Sequence, residues 1–147
     1  MSYHQILYHI VLNTYKQQHV LPLQHDEALY KYIWGIVKGH KSILFQINGT
    51  MNHIHLLTEV HPTVCLSDFI KDIKVASNLW MHNSGLFPDF DSWSVGYGAF
   101  TKSKSDKQMI MNYIKRQKEH HKVRTFEDEY RDLLRRNGVE WDERYLF

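Results

Sequence analysis

The residues best suited to chemistry are His53 and His55, a pair split by one isoleucine within Gly49-Thr50-Met51-Asn52-His53-Ile54-His55-Leu56-Leu57. The apolar run reads as a strand. Side chains alternate across a strand, so both imidazoles leave one face while Ile54 and Leu56 leave the other. Two imidazoles side by side on a rigid element are half of a metal site. Packed into an apolar core, they would instead be polar groups in need of hydrogen-bond partners.

A second group lies further along. Met109, Tyr113, Gln117 and His121 fall four residues apart in a segment with helical periodicity, which puts them on one stripe. Tyrosine is a competent nucleophile once its proton is removed or its target is strongly polarised, its free pKa being about 10. Gln117 offers a neutral amide oxygen. His53, His55 and Gln117 around a divalent cation leave positions open for a scissile phosphate oxygen and a leaving 3′ oxygen. His121 shares the stripe and is a candidate for supporting the site from behind. His9, His61, His82 and His120 read as structural or surface histidines.

Periodicity indicates the elements that must position these groups. Strands are expected over 5–14, 42–48, 52–60 and 93–101, with Asn48-Gly49 as a turn signal between the second and third. Amphipathic helices are expected over 26–41, with Asp26 as N-cap, and over 66–82. Further helices are expected over 106–121 and 126–137, with Gly138 in a C-terminal capping position. Trp93, Tyr97 and Phe100 read as core residues. Strand, helix, strand, strand, helix, strand is the split βαβ order of ferredoxin-like α+β folds. Residues 1–147 are expected to form one domain, with a core over 1–101, a tyrosine helix over 106–121 and a C-terminal helix and tail over 125–147. Helices 26–41 and 66–82 would cover one sheet face, leaving the histidines on the open one.

At 147 residues, 43% hydrophobic and 23% charged, the chain has the composition of a folded globular domain rather than a disordered segment. No apolar run approaches the roughly 20 residues that span a bilayer. There is no basic-then-apolar secretory pattern at the start, and the single Cys65 excludes an internal disulfide, so a reducing cytoplasm is the expected location. Cys65 reads as a structural thiol. Charge is unevenly spread. Lys102, Lys104, Lys107, Lys115, Arg116, Lys118, Lys122 and Arg124 face only Asp106 and Glu119 within 102–124, a net +6, while residues from Thr125 onward carry seven acids against four bases. The basic segment is a candidate footprint for a polyanion.

Four blocks together resemble the single-tyrosine transposases of the HUH nuclease superfamily, found in small bacterial insertion sequences, with repeat-associated domesticated relatives. They are Tyr8-His9-Ile10-Val11, Gly49-x-x-Asn52-His53-Ile54-His55-Leu56-Leu57, Trp93-x-x-Gly96-Tyr97-Gly98-Ala99-Phe100 and Tyr113-x-x-x-Gln117. The resemblance implies cleavage of single-stranded DNA by Tyr113, which becomes linked to the 5′ phosphate and frees a 3′ hydroxyl. It implies Mg²⁺ or Mn²⁺ held by His53, His55 and Gln117, recognition of DNA hairpins, and a homodimer in which the tyrosine helix can complete the partner's site, with Lys102–Ser105 as hinge. The eight basic residues of 102–124 would then contact phosphates.

The rival from another class is a non-catalytic nucleic-acid-binding module on the same scaffold. RNA-binding modules of this shape present aromatics on the open face, where this chain offers histidines. Replication initiators and relaxases share the triplet but are typically longer.

Overall fold

β-Branched and aromatic side chains crowd Leu7–Asn13 (β1), Ile43–Gly49 (β2) and His53–Glu59 (β3), and Gly98–Lys102 adds β4 in the computed structural model, which describes residues 1–147. The sheet order is β2-β3-β1-β4 with every neighbouring pair antiparallel, as the split βαβ order predicts. Asp26–Gly39 (α1) and Leu66–Ser84 (α2) pack on one face. There Ile10 and Leu12 of β1 and Ile54 and Leu56 of β3 meet Leu29, Ile33 and Val37 of α1 and Phe69, Ile70 and Ile73 of α2 in the main core. No helix is long and apolar enough to cross a membrane.

The opposite face, expected to be open, is covered. Lys107–Lys115 (α3) lays Ile110 and Ile114 on Leu57. Phe126–Arg136 (α5) lays Phe126, Tyr130, Leu133 and Leu134 on Val11 and Phe100. The acidic C-terminal segment therefore has a definite place. Thr125 caps α5 by accepting from the Asp128 amide at 3.2 Å, and Arg131 ties the tail back through Glu143 at 2.9 Å.

Three element boundaries differ from the periodicity reading, each for a local reason. The helix expected over 106–121 breaks at Arg116 (φ −96°, ψ 13°) into α3 and the short α4, Gln117–His120. The Asn48 side chain of β2 donates to the freed carbonyls of Ile114 and Lys115 at 3.0 and 3.1 Å, which makes the break affordable. The fourth strand begins at Gly98 rather than Trp93, because Gly96 turns left-handed (φ 87°) and Lys74 takes the carbonyls of Ser94 and Gly96. Trp93 keeps only an isolated bridge to Thr14, and Tyr97 is 41% exposed rather than in the core. Asp26 does not cap α1; its carboxylate pairs with Lys118 at 2.9 Å.

The β2–β3 turn falls on 50–52, just after the Asn48-Gly49 pair, and depends on Gly49. A Cβ built there would lie 2.0 Å from the His53 carbonyl oxygen and 2.7 Å from the Ile54 Cα, both backbone atoms that cannot yield without breaking the hairpin. Gly49→Ala is expected to destabilise the fold by roughly 3 kcal/mol, the upper range for overpacking. Denaturant unfolding measures this, and an unchanged midpoint would show that the turn relaxes freely.

Candidate active site

β3 projects His53 and His55 to the face under α3–α5, and both are fully buried. Such polar groups need partners. His53 Nδ1 lies 2.8 Å from the Asn52 side-chain oxygen, which also accepts from the Thr50 hydroxyl at 3.0 Å. An oxygen acceptor at Nδ1 puts the proton there and leaves the lone pair on Nε2. That lone pair faces the Gln117 amide oxygen at 2.9 Å and Glu129 Oε1 at 3.4 Å. The amide nitrogen of Gln117 is turned away, donating to Glu129 Oε2 at 2.8 Å.

Glu129, on α5, joins the whole group. Its Oε1 lies 3.1 Å from His55 Nε2 and 3.0 Å from His121 Nε2, while Oε2 accepts from the Tyr113 hydroxyl and from Gln117. His55 is anchored from behind, its Nδ1 lying 2.8 Å from His9 Nε2. Rings of Phe126 and His121 close on His53 at centroid distances of 4.3 and 4.5 Å.

The charge states follow from this packing. Burial above all pushes His53 down to about 4, so it is neutral at pH 7. Burial, then the charge on His55, also drives His9 well below its ordinary value. Burial works against an ionised Glu129, but the charge of His55 and hydrogen bonds from His121, His53 and His55 outweigh it and hold the carboxyl far below the usual range. Burial and the neighbouring Glu129 push the Tyr113 phenol up, so it is protonated at neutral pH.

A buried carboxylate whose neighbour His53 is neutral calls for further positive charge in a dry site. Ligand atoms of His53, His55 and Glu129 all lie within 4.8 Å of one another. With the Gln117 oxygen they form a cluster of lone pairs facing inward, a donor set that fits a divalent cation.

Of the residues singled out from sequence, His53, His55, Tyr113, Gln117 and His121 meet in one place within one chain. Met109, on the same expected stripe, is 62% exposed. The basic residues scatter. Lys102 binds the Asn137 side chain at 2.8 Å, Lys107 sits over the Phe45 ring, Lys118 pairs with Asp26 and Arg124 with Asp132, while Lys104, Lys115, Arg116 and Lys122 are exposed. Sequence reading missed Glu129 and His9. Both left a signal: Glu129 sits on the apolar stripe of α5, between Phe126 and Leu133, and His9 shares a strand face with Val11, which pairs with His55.

A four-stranded antiparallel ferredoxin-like sheet thus carries the His-x-His pair, with Tyr113 of α3 and Gln117 of α4 packed behind it. The family model described as IS200-like transposase matches residues 2–117, and the chain belongs to that family of single-strand DNA transposases. No curated protein matches the sequence. A crystal structure described as a transposase from Deinococcus radiodurans R1 is similar, with 24% identity, a TM-score of 0.64, and coverage of 79% of this chain and 93% of that one. A REP-associated tyrosine transposase bound to a REP hairpin is similar at 14% identity and a TM-score of 0.61, covering 82% of this chain and 72% of that one. Glu129 lies beyond the residues that the family model matches.

Losing a hydrogen-bond partner behind a metal ligand costs roughly 10–100-fold in affinity, and losing a ligand costs at least as much. His55→Ala and Glu129→Gln are each expected to weaken Mn²⁺ binding at least about 10-fold in an electron paramagnetic resonance titration. An unchanged affinity in either variant removes that residue from the ligand set.

Proposed function

We propose that this transposase cuts and rejoins single-stranded DNA through Tyr113. The observation that carries the reading is the shared carboxylate: Glu129 holds the Tyr113 hydroxyl on one oxygen while its other oxygen lies among the Nε2 atoms of His53, His55 and His121. A nucleophile is thereby fixed beside a cluster of ligand atoms. His53, His55, Gln117 and Glu129 would hold Mg²⁺ or Mn²⁺, which neutralises charge developing on the phosphate and on the leaving 3′ oxygen.

Tyr113 Oη forms a bond to phosphorus as the bond from phosphorus to the 3′ oxygen breaks. The phenol proton leaves along its hydrogen bond to Glu129 and is lost to solvent, and a proton from solvent completes the 3′ hydroxyl. The downstream strand is left on Tyr113 as a 5′ phosphotyrosine. Rejoining is the reverse attack by a 3′ hydroxyl, so no nucleotide is consumed. His9 and Asn52 orient the two imidazoles. DNA with hairpin ends is the expected substrate, as the hairpin bound to the similar REP-associated transposase suggests. Action as a homodimer is consistent with the family. Tyr113 lies against its own chain's His55, with ring centroids 5.8 Å apart, which favours attack in cis.

Labelled hairpin oligonucleotides incubated with Mg²⁺ or Mn²⁺ and run on a denaturing gel test the reading. A covalent protein–DNA adduct is expected from the wild type and none from Tyr113→Phe, and His53→Ala with His55→Ala should abolish cleavage. An adduct persisting in Tyr113→Phe would overturn the nucleophile. Tight DNA binding with no cutting of any hairpin substrate would favour a binding module.

A further inference from the structure

Lys118, one of the basic run 102–124, has no donor left over for a phosphate. An ammonium carries three N–H bonds. Those of Lys118 are met by Asp26 Oδ2 at 2.9 Å, the Gly49 carbonyl at 3.2 Å and the Asn48 side-chain oxygen, and the Tyr30 ring lies 5.7 Å from the same nitrogen. Asn48 is used as fully. Its oxygen accepts from Lys118 while its amide nitrogen donates to the carbonyls of Ile114 at 3.0 Å and Lys115 at 3.1 Å.

These two side chains grip both sides of the break at Arg116. Ile114 and Lys115 end α3, Lys118 is the second residue of α4, and Gln117 lies between the grips. Left to itself α4 would not hold that place. Gln117-Lys118-Glu119-His120 offers no apolar side chain to pack on the sheet, and a helix that short has no stability of its own in water. The far end of the grip is the strand pair that presents the imidazoles. In the β2–β3 ladder Asn48 stands opposite His55 and Gly49 opposite Ile54. Directly opposed residues of an antiparallel pair project to one face, so Asn48 rises beside His55. The break is thereby tied to the same two strands that fix His53 and His55.

We propose that Asn48 and Lys118 are positioning residues for the metal centre: they clasp the chain on either side of Arg116 and so set the Gln117 amide oxygen, 2.9 Å from His53 Nε2, against the His-x-His pair. Lys118 acts through Gln117 and is not a phosphate contact. This assignment rests on the metal-dependent nuclease reading above.

The test uses the full chain. In metal-free protein, NMR follows hydrogen exchange of the Gln117 side-chain amide, identified by its absence from Gln117→Ala. That amide donates to Glu129, so it should be protected in wild type and lose its protection in Asn48→Ala and in Lys118→Met, while backbone amides of β1 and β3 stay protected. Unchanged Gln117 exchange in either folded variant would overturn the clasp. Lys118→Met keeps an apolar stem over Tyr30 and carries the test if Asn48→Ala does not fold. In Mn²⁺ titrations Asn48→Ala should weaken binding roughly 10-fold, and far less when made on Gln117→Ala. Equal losses on the two backgrounds would mean a general effect on the fold and overturn the assignment. Binding of a hairpin oligonucleotide is also measured without divalent metal across a salt series. The slope of log K against log salt should be the same for Lys118→Met as for wild type, and a slope shallower by roughly 0.7 to 0.9 would make Lys118 a phosphate contact and overturn its part. Failure of wild-type protein to bind Mn²⁺ would count against the metal reading alone, because Gln117 exchange reports on the clasp without metal.

Discussion

The rest of the structure depends on one buried carboxylate. Glu129 is 1% exposed, and an ionised carboxylate in a dry site costs several kcal/mol unless opposing charge and hydrogen bonds offset it. Three imidazoles, a phenol and an amide meet that need, and they come from four parts of the chain: β3, α3, α4 and the segment after α4. The carboxylate can stand there only because α5 is fastened to the sheet by Phe126, Tyr130, Leu133 and Leu134. Close docking requires Gly98 as well, since a Cβ there would lie 2.8 Å from the Tyr130 ring. The break at Arg116 is part of the same construction: it lets α3 pack through Ile110 and Ile114 while Gln117 turns toward His53 and Glu129.

This construction brings the candidate residues together within one chain and shields them. His53 and His55 of β3 lie under α3–α5, out of contact with water. The segment between α4 and α5 is part of that cover, its His121 ring lying 4.5 Å from that of His53.

The sheet was legible because its signals are local. Apolar, β-branched runs in β1 and β3, the Asn-Gly pair and two amphipathic helices specify the βαββαβ order, and Ile54 and Leu56 settle which face the histidines leave. The His-x-His pair and the four-residue spacing of Tyr113 and Gln117 were legible for the same reason. What escaped was set by distant contacts. The break at Arg116 depends on Asn48, far away in sequence, supplying hydrogen bonds to the end of α3. The covering of the second face depends on α5, whose apolar stripe was visible but whose docking partner was not. Glu129 reads as one more acid in an acidic segment until that stripe is laid against the sheet, when it becomes a charge pointing inward. His9 was discounted singly, though pairing of β1 with β3 brings it to His55.

The most direct measurement is to locate the DNA on the protein. A hairpin oligonucleotide is incubated with the full chain and Mn²⁺, the adduct is digested with protease and nuclease, and the modified peptide is sequenced by tandem mass spectrometry. Nine tyrosines and one cysteine are available, so the position is informative. The account predicts a nucleotide 5′ phosphate on Tyr113 alone. A nucleotide on any other side chain, or one attached through its 3′ end, would contradict it.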